Sequence, residues 1–379
     1  MSYLKRSIQS LLTSYLLPNK VVVLLGPRRV GKTVLLQQIL SDISEPYLLL
    51  NGEDINTKEA FGRRSITHLR QILDGKLLLI IDEAQKIPDI GSSLKLMVDE
   101  IPGLKVLITG SSAFDVQNQM GEPLTGRKFT FQLYPLSESE YGPTEPMLIK
   151  KDKLRERLIY GNYPELLQLS SAAQKDRYLH DLVGSYLLKD ILAFENIKNS
   201  DKIISLLRLL AFQVGNTVST TELGTQLGMS GNTVQKYLDL LSKVFIIHRL
   251  GGFSRNLRKE ISKNSKWYFF DNGIRNVLIA NMNAIELRND VGQLWENYAI
   301  SERIKFQQYS GMIVNNYFWR TYDQQEIDWI EERGGNLYAY EIKWNPYKKI
   351  KTPIAWAKTY PDAQFKRVHT DNLLSWVSM

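Results

Sequence analysis

Cysteine is absent from this 379-residue sequence. Its absence excludes disulfide bonds, zinc sites with thiolate ligands and catalytic cysteine nucleophiles. Disulfides stabilise many secreted proteins, and they are rare in reducing compartments. The composition therefore fits a reducing compartment, and we expect a cytoplasmic protein.

Long apolar runs are absent as well. A membrane-spanning helix needs about 18 or more consecutive apolar residues, and no segment of the sequence has such a run. Residues 1–17 carry serine, threonine and glutamine among their apolar residues, and no small-residue cleavage site follows them. This pattern is typical of an amphipathic helix rather than a signal peptide, so we expect no association with membranes.

Histidine is scarce, whereas positive charge is in excess. The 4 histidines, His68, His180, His248 and His369, are scattered without the spacing of a metal site. Lysine and arginine total 48 against 40 acidic residues, which gives a formal net charge of +8 and a pI near 9.2. This excess suits a polyanionic partner such as DNA, but it equally suits a soluble basic protein without one.

The first third of the sequence alternates strand-like and helix-like segments. Short apolar runs predict strands at residues 21–25, 47–51, 77–81, 105–109 and 129–133. Helical stretches lie between most of them, and repeated βα units favour a parallel sheet with helices on both faces. Proline and glycine at residues 134–146 indicate a linker, after which the chain is mostly helical to about residue 211.

A phosphate-binding motif follows the first of these strands. Residues 26–33 match G-x-x-x-x-G-K-[ST] in full, with a strand before the motif and a helix after it. Glycines let backbone N–H groups surround phosphate oxygens, Lys32 can reach the β- and γ-phosphates, and the Thr33 hydroxyl can bind Mg²⁺. The alternative is a glycine turn with a chance lysine. The residues predicted to bind ATP are Gly26, Pro27, Arg28, Arg29, Val30, Gly31, Lys32, Thr33 and Val34.

Two carboxylates end the strand predicted at residues 77–81. Asp82 and Glu83 follow this apolar strand at its carboxyl end, which is where ligands bind in open α/β sheets. We expect Asp82 to hold Mg²⁺, directly or through water, and Glu83 to act as the general base that polarises the attacking water. A solvated strand end without function is the alternative, and the phosphate-binding motif argues against it.

Polar residues also flank two later strands. Ser111 and Ser112 follow the strand at 105–109, either to orient the attacking water and contact the γ-phosphate or to cap a helix. Arg127 precedes the strand at 129–133. It is either an arginine finger donated to the γ-phosphate of a neighbouring subunit, which requires a homo-oligomer, or a surface arginine paired with a carboxylate. The predicted catalytic residues are Lys32, Glu83, Ser111 and Arg127.

Together these motifs resemble the AAA+ superfamily. More specifically, the sequence resembles prokaryotic predicted ATPases that join an AAA-type domain to a C-terminal domain of uncertain function. Residues 28–29, 82–86, 110–112 and 124–127 carry the resemblance, as does the segment 161–165, in which Asn162 replaces the family's usual second glycine. The resemblance implies binding of ATP and Mg²⁺ and leaves the biological role open.

Residues 217–253 predict a helix, a turn, a second helix and then a strand or hairpin. Ser219 and Glu222 form a capping-box pattern at the start of the first helix, and the whole is a helix-turn-helix pattern, which we interpret as a winged helix. Polar residues on the second helix and a basic loop over 249–266 suit DNA contacts, although a structural spacer with a solvated loop explains them equally well. These residues are Ser230, Asn232, Thr233, Gln235, Lys236, Arg249, Arg255, Arg258, Lys259, Lys263 and Lys266.

The C-terminal third predicts a helix followed by strands at 317–322, 326–330 and 337–343. Alternation places Glu341 and Lys343 on one face of their strand, and Asp328 approaches from the neighbouring strand. Two carboxylates that hold Mg²⁺ and a lysine that activates water would cleave a phosphodiester. A cross-strand ion pair on a solvated face is the alternative.

This C-terminal arrangement resembles the PD-(D/E)xK nuclease superfamily. The resemblance makes Asp328, Glu341 and Lys343 the core triplet, with Glu302 or Glu296 as the carboxylate supplied by the preceding helix. Inactive relatives also belong to that superfamily, so the resemblance implies the fold more strongly than the activity.

We therefore predict an α/β protein in four parts. These are a P-loop AAA-type ATPase domain at residues 1–145, a helical lid at 146–212, a winged helix at 213–262 and a restriction-endonuclease-like α/β domain at 263–379. The expected function is Mg²⁺-dependent ATP binding and hydrolysis, coupled to a conformational change on a bound partner, with DNA as the best candidate. Two alternatives remain: an ATP-regulated, metal-dependent DNA nuclease, and a nucleotide-dependent scaffold or switch with little turnover.

Overall fold

The structure is a computed structural model that describes residues 4–111, 124–141, 145–187, 200–254 and 265–378. The chain divides into two compact units. The first unit comprises residues 1–135 together with 308–310, and the second comprises residues 136–307 and 311–379. The four-part division inferred from the sequence stays a prediction.

The first unit alternates strands and helices. Its described elements are α1 (Gln9–Ser14), β1 (Lys20–Leu25), α2 (Lys32–Ser41), β2 (Tyr47–Asn51), α3 (Ile55–Gly62), α4 (Ile66–Leu73), β3 (Leu78–Asp82), α5 (Ile90–Glu100), β4 (Lys105–Gly110) and β5 (Lys128–Gln132).

The strands of the first unit form one parallel sheet. Within the described ranges its order is β2-β3-β4-β1-β5, and each neighbouring pair runs parallel. Every residue of β3 is buried, because a central parallel strand has helices or loops on both faces and needs apolar residues on both. The predicted parallel α/β sheet is therefore confirmed, and the segments after β1, β3 and β4 share its carboxyl edge.

The second unit holds a helical segment followed by a mixed sheet. Its described helices are α6 (Glu138–Tyr141), α7 (Lys150–Tyr160), α8 (Ala172–Asp181), α9 (Ser200–Phe212), α10 (Thr220–Leu227), α11 (Gly231–Lys243), α12 (Asn272–Leu278), α13 (Val291–Tyr309), α14 (Ile354–Thr359) and α15 (Leu373–Trp376). The last two residues of α13 are assigned to the first unit. Its described strands are β6 (Thr217–Val218), β7 (Ile247–Gly252), β8 (Ser265–Phe269), β9 (Asn315–Arg320), β10 (Glu326–Arg333), β11 (Asn336–Ile342) and β12 (Gln364–Val368).

This second sheet is continuous. Among the described strands its order is β12-β11-β10-β9-β7-β8-β6. Strands β9, β10 and β11 are antiparallel, whereas β12 runs parallel to β11 and β7 runs parallel to β9. Because β7 pairs with both β8 and β9, one sheet holds strands from both sides of the domain boundary that the sequence predicted at residues 262–263. The protein thus contains a second sheet, of mixed strand direction, in addition to the parallel one.

Helices α10 and α11 form the predicted helix–turn–helix. The Ser219 hydroxyl accepts a hydrogen bond from the Glu222 N–H (3.4 Å) and so caps α10. Gly228 ends α10 in the left-handed conformation, with φ 60°. The Ser230 hydroxyl then accepts from the Thr233 N–H (3.1 Å) and caps α11. Local side-chain chemistry therefore fixes both ends of the turn.

Asp271 joins α12 to the segment that follows α7. Its carboxylate accepts hydrogen bonds from the Gly273 N–H (2.9 Å) and the Ile274 N–H (3.2 Å), and so caps α12. It also accepts from the Asn162 N–H (2.7 Å). Gly161 has φ 77°, and a Cβ there would lie 2.0 Å from the Asp271 carboxylate. The glycine of the 161–165 segment is therefore required by this close approach.

Two glycines in the second position of their helices provide a test of this packing. A Cβ on Gly273 of α12 would lie 2.0 Å from the Tyr160 carbonyl oxygen, whereas a Cβ on Gly292 of α13 would meet no atom within 4 Å. We expect Gly273→Ala to lower the free energy of unfolding by about 1–3 kcal/mol, because backbone must shift to admit the methyl group. Gly292→Ala is the matched control and should change stability by less than about 1 kcal/mol, in the stabilising direction. Urea unfolding measures both, and equal midpoints would contradict the packing described for α12.

Candidate functional site

The loop of residues 26–33 connects β1 to α2 and depends on its two glycines. A Cβ on Gly26 would lie 2.3 Å from the Leu133 carbonyl oxygen, so a side chain is excluded there. Gly31 has φ 91° and directly precedes α2. The loop therefore turns sharply into the N-terminus of a ten-residue helix, a geometry that suits an anionic ligand.

Lys32 is buried, and its ammonium contacts the loop itself. It donates hydrogen bonds to the carbonyl oxygens of Gly26 (2.9 Å) and Pro27 (3.0 Å). Arg6 contacts the same loop and donates to the Val30 carbonyl (2.8 Å) and the Tyr134 carbonyl (2.7 Å). Sequence reasoning missed Arg6, which lies well outside the motif.

The remaining residues of the motif divide between the core and the surface. Val30 is fully buried and anchors the loop. Pro27, Arg28 and Val34 are half-buried, and Arg29 is exposed with φ 65°. The motif therefore presents mainly backbone and polar side chains to a ligand.

The Asp82 carboxylate, at the end of β3, connects this strand to β4 and to the start of α2. The Thr33 hydroxyl donates to its Oδ2 (2.7 Å), and the Thr109 hydroxyl donates to its Oδ1. This arrangement follows from the strand order, since β4, which carries Thr109, lies between β3 and β1. The structure thus brings together the two residues predicted to hold Mg²⁺. It adds Thr109, a fully buried residue that was not among the predicted site residues.

Glu83 follows Asp82 in a left-handed backbone conformation, with φ 52°. Its N–H donates to the Thr109 hydroxyl (2.9 Å), and its carboxylate accepts from Gln85 Nε2 (2.6 Å). A Cβ on Gly52 would lie 2.3 Å from the Glu83 carbonyl oxygen. Backbone and side chain of Glu83 are therefore both fixed by neighbours.

Ser111 lies in the same network at the end of β4. It is buried and accepts a hydrogen bond from Gln85 Nε2 (3.1 Å), the amide that also contacts Glu83. Gln85 was not selected from the sequence, although it lies two residues after Glu83. Ser112, the other predicted hydroxyl, lies outside the described residues.

Arg127 lies at the opposite edge of the sheet. Its carbonyl accepts a hydrogen bond from the Val21 N–H (2.9 Å), at the amino end of β1, whereas the phosphate-binding loop follows the carboxyl end of that strand. Its guanidinium donates to Asp99 of α5 (2.6 Å). The structure therefore does not bring Arg127 to the other catalytic candidates of its own chain.

Lys343 lies between the two carboxylates predicted to accompany it. Its ammonium is 3.1 Å from Asp328 Oδ2 and 2.7 Å from Glu341 Oε1. Asp328 Oδ2 also accepts a hydrogen bond from the Ile342 N–H (2.8 Å), which ties β10 to the end of β11. The structure therefore assembles the predicted triplet.

The helix carboxylate at this cluster is Glu296 rather than Glu302. Glu296 accepts a hydrogen bond from the Tyr268 hydroxyl (2.6 Å), and the negative charge of Asp328 contributes to raising its pKa. Glu302 instead accepts from Lys305 (2.6 Å) and from the Glu138 N–H (2.7 Å) in a separate buried network. Glu302, one of the two predicted alternatives, is therefore corrected in favour of Glu296, because six residues of helix place the two side chains about 120° apart around its axis.

The electrostatics of this cluster are those of a crowded acidic group. Burial, with the charge of Asp328, raises the pKa of Glu296 to about 7. Burial and Asp328 also raise the pKa of Glu341. Burial opposes ionisation of Lys343, but Asp328 and Glu341 outweigh it and raise its pKa. Lys343 is therefore an ammonium that balances the carboxylates.

Metal-binding groups built from protein side chains alone are not found in the described ranges. Nowhere among those residues are three or more His, Cys, Asp or Glu placed so that they could hold a metal ion. Mg²⁺ bound to a nucleotide usually takes only one or two protein ligands, with phosphate oxygens and water completing its shell. The oxygen donors Thr33 and Asp82, 2.7 Å apart, fit that pattern.

The surface proposed for DNA is only partly available. Asn232 and Lys236 are exposed on α11, and Arg249 is exposed on β7. Lys266 is 2% exposed and forms ion pairs with Glu326 (2.5 Å) and Glu296 (3.5 Å). Its inclusion in the basic loop is therefore corrected, because two carboxylates bury its charge. Residues 255–264, with the other predicted cations, lie outside the described residues.

Within the described ranges, no helix combines the length and the apolar character that crossing a bilayer requires.

Three family models match consecutive parts of the chain. Residues 18–142 match an AAA domain. Residues 151–285 match a domain of unknown function, DUF8612, and residues 291–373 match another domain of unknown function, DUF4143.

Proteins similar over most of the chain occur in bacteria and archaea. An uncharacterized protein of Mycobacterium tuberculosis is 27% identical over 85% of this chain and 70% of its own length. One of Haemophilus influenzae is 25% identical over 99% of this chain and 97% of its own length. One of Methanocaldococcus jannaschii is 24% identical over 93% and 82%.

Solved structures show only a distant likeness. The RuvB Holliday junction branch migration motor of Thermotoga maritima is 16% identical, with a TM-score of 0.32 over 65% of this chain and 90% of its own. A STAND protein of Pyrococcus horikoshii is 12% identical, with a TM-score of 0.32 over 82% and 48%. TM-scores this low support no argument about this chain.

The site geometry and the family match concern the same residues. The phosphate-binding loop, Asp82 and Glu83 all lie within residues 18–142, at the carboxyl edge of a parallel sheet. The predicted likeness to AAA+ proteins is confirmed for this region, and that to PD-(D/E)xK nucleases stays a prediction. Residues 18–142 match an AAA domain and have the parallel sheet and phosphate-binding loop of a P-loop ATPase, which supports the binding and hydrolysis of ATP.

Proposed function

We propose that this protein hydrolyses ATP with Mg²⁺ and uses the resulting conformational change on bound DNA. The observation that carries the proposal is the shared Asp82 carboxylate, which accepts hydrogen bonds from Thr33 and Thr109 with Glu83 directly beside it. A phosphate-binding loop, an oxygen pair suited to Mg²⁺ and a carboxylate suited to base catalysis thereby meet at one edge of the sheet.

Each residue has a distinct role in the proposed reaction. The loop N–H groups and Lys32 bind the phosphates, and Thr33 and Asp82 hold Mg²⁺, which neutralises negative charge on the phosphates when it is bound. Glu83 accepts the proton of the attacking water. Gln85 positions Glu83 and Ser111 through one amide group. Arg127 acts on ATP only in trans, so its predicted role as an arginine finger requires an assembly of several copies.

Replacing Glu83 tests the base. We expect Glu83→Gln to lower kcat of ATP hydrolysis by about 10²–10⁴-fold, because the amide cannot accept the proton of water. Nucleotide affinity should remain, since Lys32 and the loop are unchanged. Glu59→Gln, an exposed position on α3, is the control and should hydrolyse ATP normally. Single-turnover kinetics and binding of a fluorescent ATP analogue measure the two effects, and unchanged turnover in Glu83→Gln would exclude Glu83 as the base.

DNA is proposed as the partner from the helix–turn–helix of α10 and α11. Its second helix exposes Asn232 and Lys236 near its capped start, where such helices contact bases and phosphates. Arg249 is exposed on the strand that follows. The net charge of +8 favours a polyanion as well. We interpret α10, α11 and β6–β8 as a winged helix on this basis.

The salt dependence of DNA binding tests this surface. We expect the double variant Lys236→Gln, Arg249→Gln to reduce the slope of log K against log salt by about 2, because two phosphate contacts are removed. The control is Arg63→Gln, Lys95→Gln, which removes two exposed charges from the first unit. Fluorescence anisotropy with a labelled duplex at several salt concentrations gives the slopes. If the native chain does not bind DNA, or if its affinity for DNA does not change with salt concentration, the scaffold or switch function with a protein partner would be favoured.

A second candidate function is metal-dependent DNA cleavage. The contacts of Lys343 with Asp328 and Glu341, with Glu296 at the same cluster, favour it. These carboxylates are oxygen donors of the type that Mg²⁺ prefers. The ammonium of Lys343 would stabilise negative charge on a phosphodiester beside them.

Cleavage of DNA in Mg²⁺ or Mn²⁺ tests this second function. We expect Lys343→Ala to reduce cleavage by about a hundredfold or more, with ATP hydrolysis unaffected. Lys349→Ala, an exposed neighbour, should cleave as the native chain does. Gel analysis after incubation, together with thermal melting of both variants, separates lost chemistry from lost folding. Equal cleavage by both variants would place the activity elsewhere, and intact DNA with the native chain would remove this function.

A further inference from the structure

A cavity of about 360 Å³ lies in the second unit between α13, β11, β12 and α15. Tyr340 of β11 lines it. Glu341, the next residue, points to the other face of the strand because side chains alternate, and none of Asp328, Glu296 and Lys343 lines the cavity. The cavity is therefore distinct from the carboxylate cluster considered for DNA cleavage. It also shares no residue with the phosphate-binding loop.

The charge in this cavity is strongly positive. Arg303, Arg333 and Lys366 line it, and no acidic residue of the described ranges does. Arg367 also borders the cavity, but it pairs with Glu341 and its side chain therefore lies on the other face of the sheet, where its guanidinium donates to the Lys348 carbonyl (2.6 Å). Register supports the grouping, since Lys366 of β12 pairs with Tyr340 and so lies on the same face of the sheet. A volume of this size, within the roughly 300–1,000 Å³ of small-molecule sites, accommodates more than a single phosphate ion.

One buried carboxylate lies beneath these cations. Glu331 is fully buried and accepts hydrogen bonds from Arg303 Nε (2.5 Å) and Arg303 Nη2 (2.8 Å). Its Oε2 lies 3.2 Å from Arg333 Nε. Burial opposes ionisation of Glu331, but the hydrogen bonds and charge of Arg303 lower its pKa. Glu331 is therefore an anion that holds the two arginines in place and balances only one of the three positive charges.

The arginines are positioned before any ligand binds. Arg303 is 4% exposed, and its guanidinium lies 4.9 Å from the Phe306 ring centroid and 5.0 Å from that of Trp376. Arg333 stacks on Tyr338 at 4.0 Å. A fixed arginine loses little freedom on binding, and its planar donors match the oxygens of a phosphate. Lys366 is exposed beside them.

Aromatic rings form another part of the cavity. The ring centroids of Tyr340 and Trp376 lie 5.1 Å apart, and both residues line it together with Phe306. Because cations line one part of the cavity and aromatic rings line another, the cavity suits a ligand with an anionic group and a planar, partly apolar body. We propose that this basic pocket binds a phosphate monoester of mononucleotide size, supplied either as a free nucleotide or as the terminal 5′-phosphate of a nucleic acid strand.

Calorimetry on the full chain carrying Lys32→Ala tests the proposal, since this change weakens binding at the phosphate-binding loop. The probes are inorganic phosphate, AMP, and a trinucleotide with either a 5′-phosphate or a 5′-hydroxyl. We expect AMP or the 5′-phosphorylated trinucleotide to bind more tightly than inorganic phosphate. Preference for AMP identifies a free nucleotide as the source, and preference for the phosphorylated trinucleotide over its hydroxyl form identifies a strand end.

Two charge-matched variants in the same background assign the binding to this pocket. Arg333→Gln with Lys366→Gln should weaken the preferred probe by about tenfold or more, because charged hydrogen bonds to phosphate are lost. Lys349→Gln with Lys358→Gln removes two exposed charges outside the pocket and should leave affinity unchanged. If the first variant unfolds at a lower temperature than the native chain, the affinity of the single variant Lys366→Gln, at an exposed position, is compared with the control instead. Equal affinity in both variants, or no binding of any probe at millimolar concentration, overturns the proposal.

Discussion

The Asp82 carboxylate imposes the strictest condition on the first unit. A carboxylate that is 8% exposed needs hydrogen-bond donors, because an unpaired buried charge costs several kcal/mol. Thr33 and Thr109 donate to its two oxygens from the segments that flank it. These contacts exist only if β4 separates β3 from β1. The strand order, the end of β4 and the start of α2 are therefore all coupled to one side chain.

Sequence reasoning found the elements of the first unit and the chemistry inside its motifs. Apolar runs located the strands, and motif spacing selected Lys32, Thr33 and Asp82. It missed Thr109 and Arg6, because their roles depend on strand order and on contacts between distant residues. Arg6 reaches the Val30 carbonyl across 24 residues and the Tyr134 carbonyl across 128. No local pattern encodes such a contact. Gln85, in contrast, lies two residues after Glu83, so its place in the site could have been predicted from the sequence.

The second unit shows how charge misleads when burial is unknown. Lys266 counted as a surface cation, yet two carboxylates surround it and it is 2% exposed. Glu296 and Glu302 were equivalent in the sequence, because both lie on the helix that precedes the strands. The helix phase that separates them is set by packing against β8, where Tyr268 donates to Glu296. Periodicity gives relative positions on a helix, but tertiary contacts decide which side meets the cluster.

The alternation of β11 has a consequence for the chemistry of the second unit. Glu341 belongs to a cluster rich in carboxylates, and Tyr340, its neighbour in the chain, lines a cavity with three cationic side chains. Because successive side chains of a strand lie on opposite faces, adjacent residues can belong to clusters of opposite charge, provided that each face carries counter-charges of its own. Lys343 and Lys266 supply them among the carboxylates, and Glu331 does so beneath the arginines. In both places the opposite charges neutralise only part of the excess charge. The carboxylate cluster keeps an excess of negative charge, and the cavity keeps an excess of positive charge. The acidic cluster thus favours a cation as its ligand, and the basic pocket favours an anion.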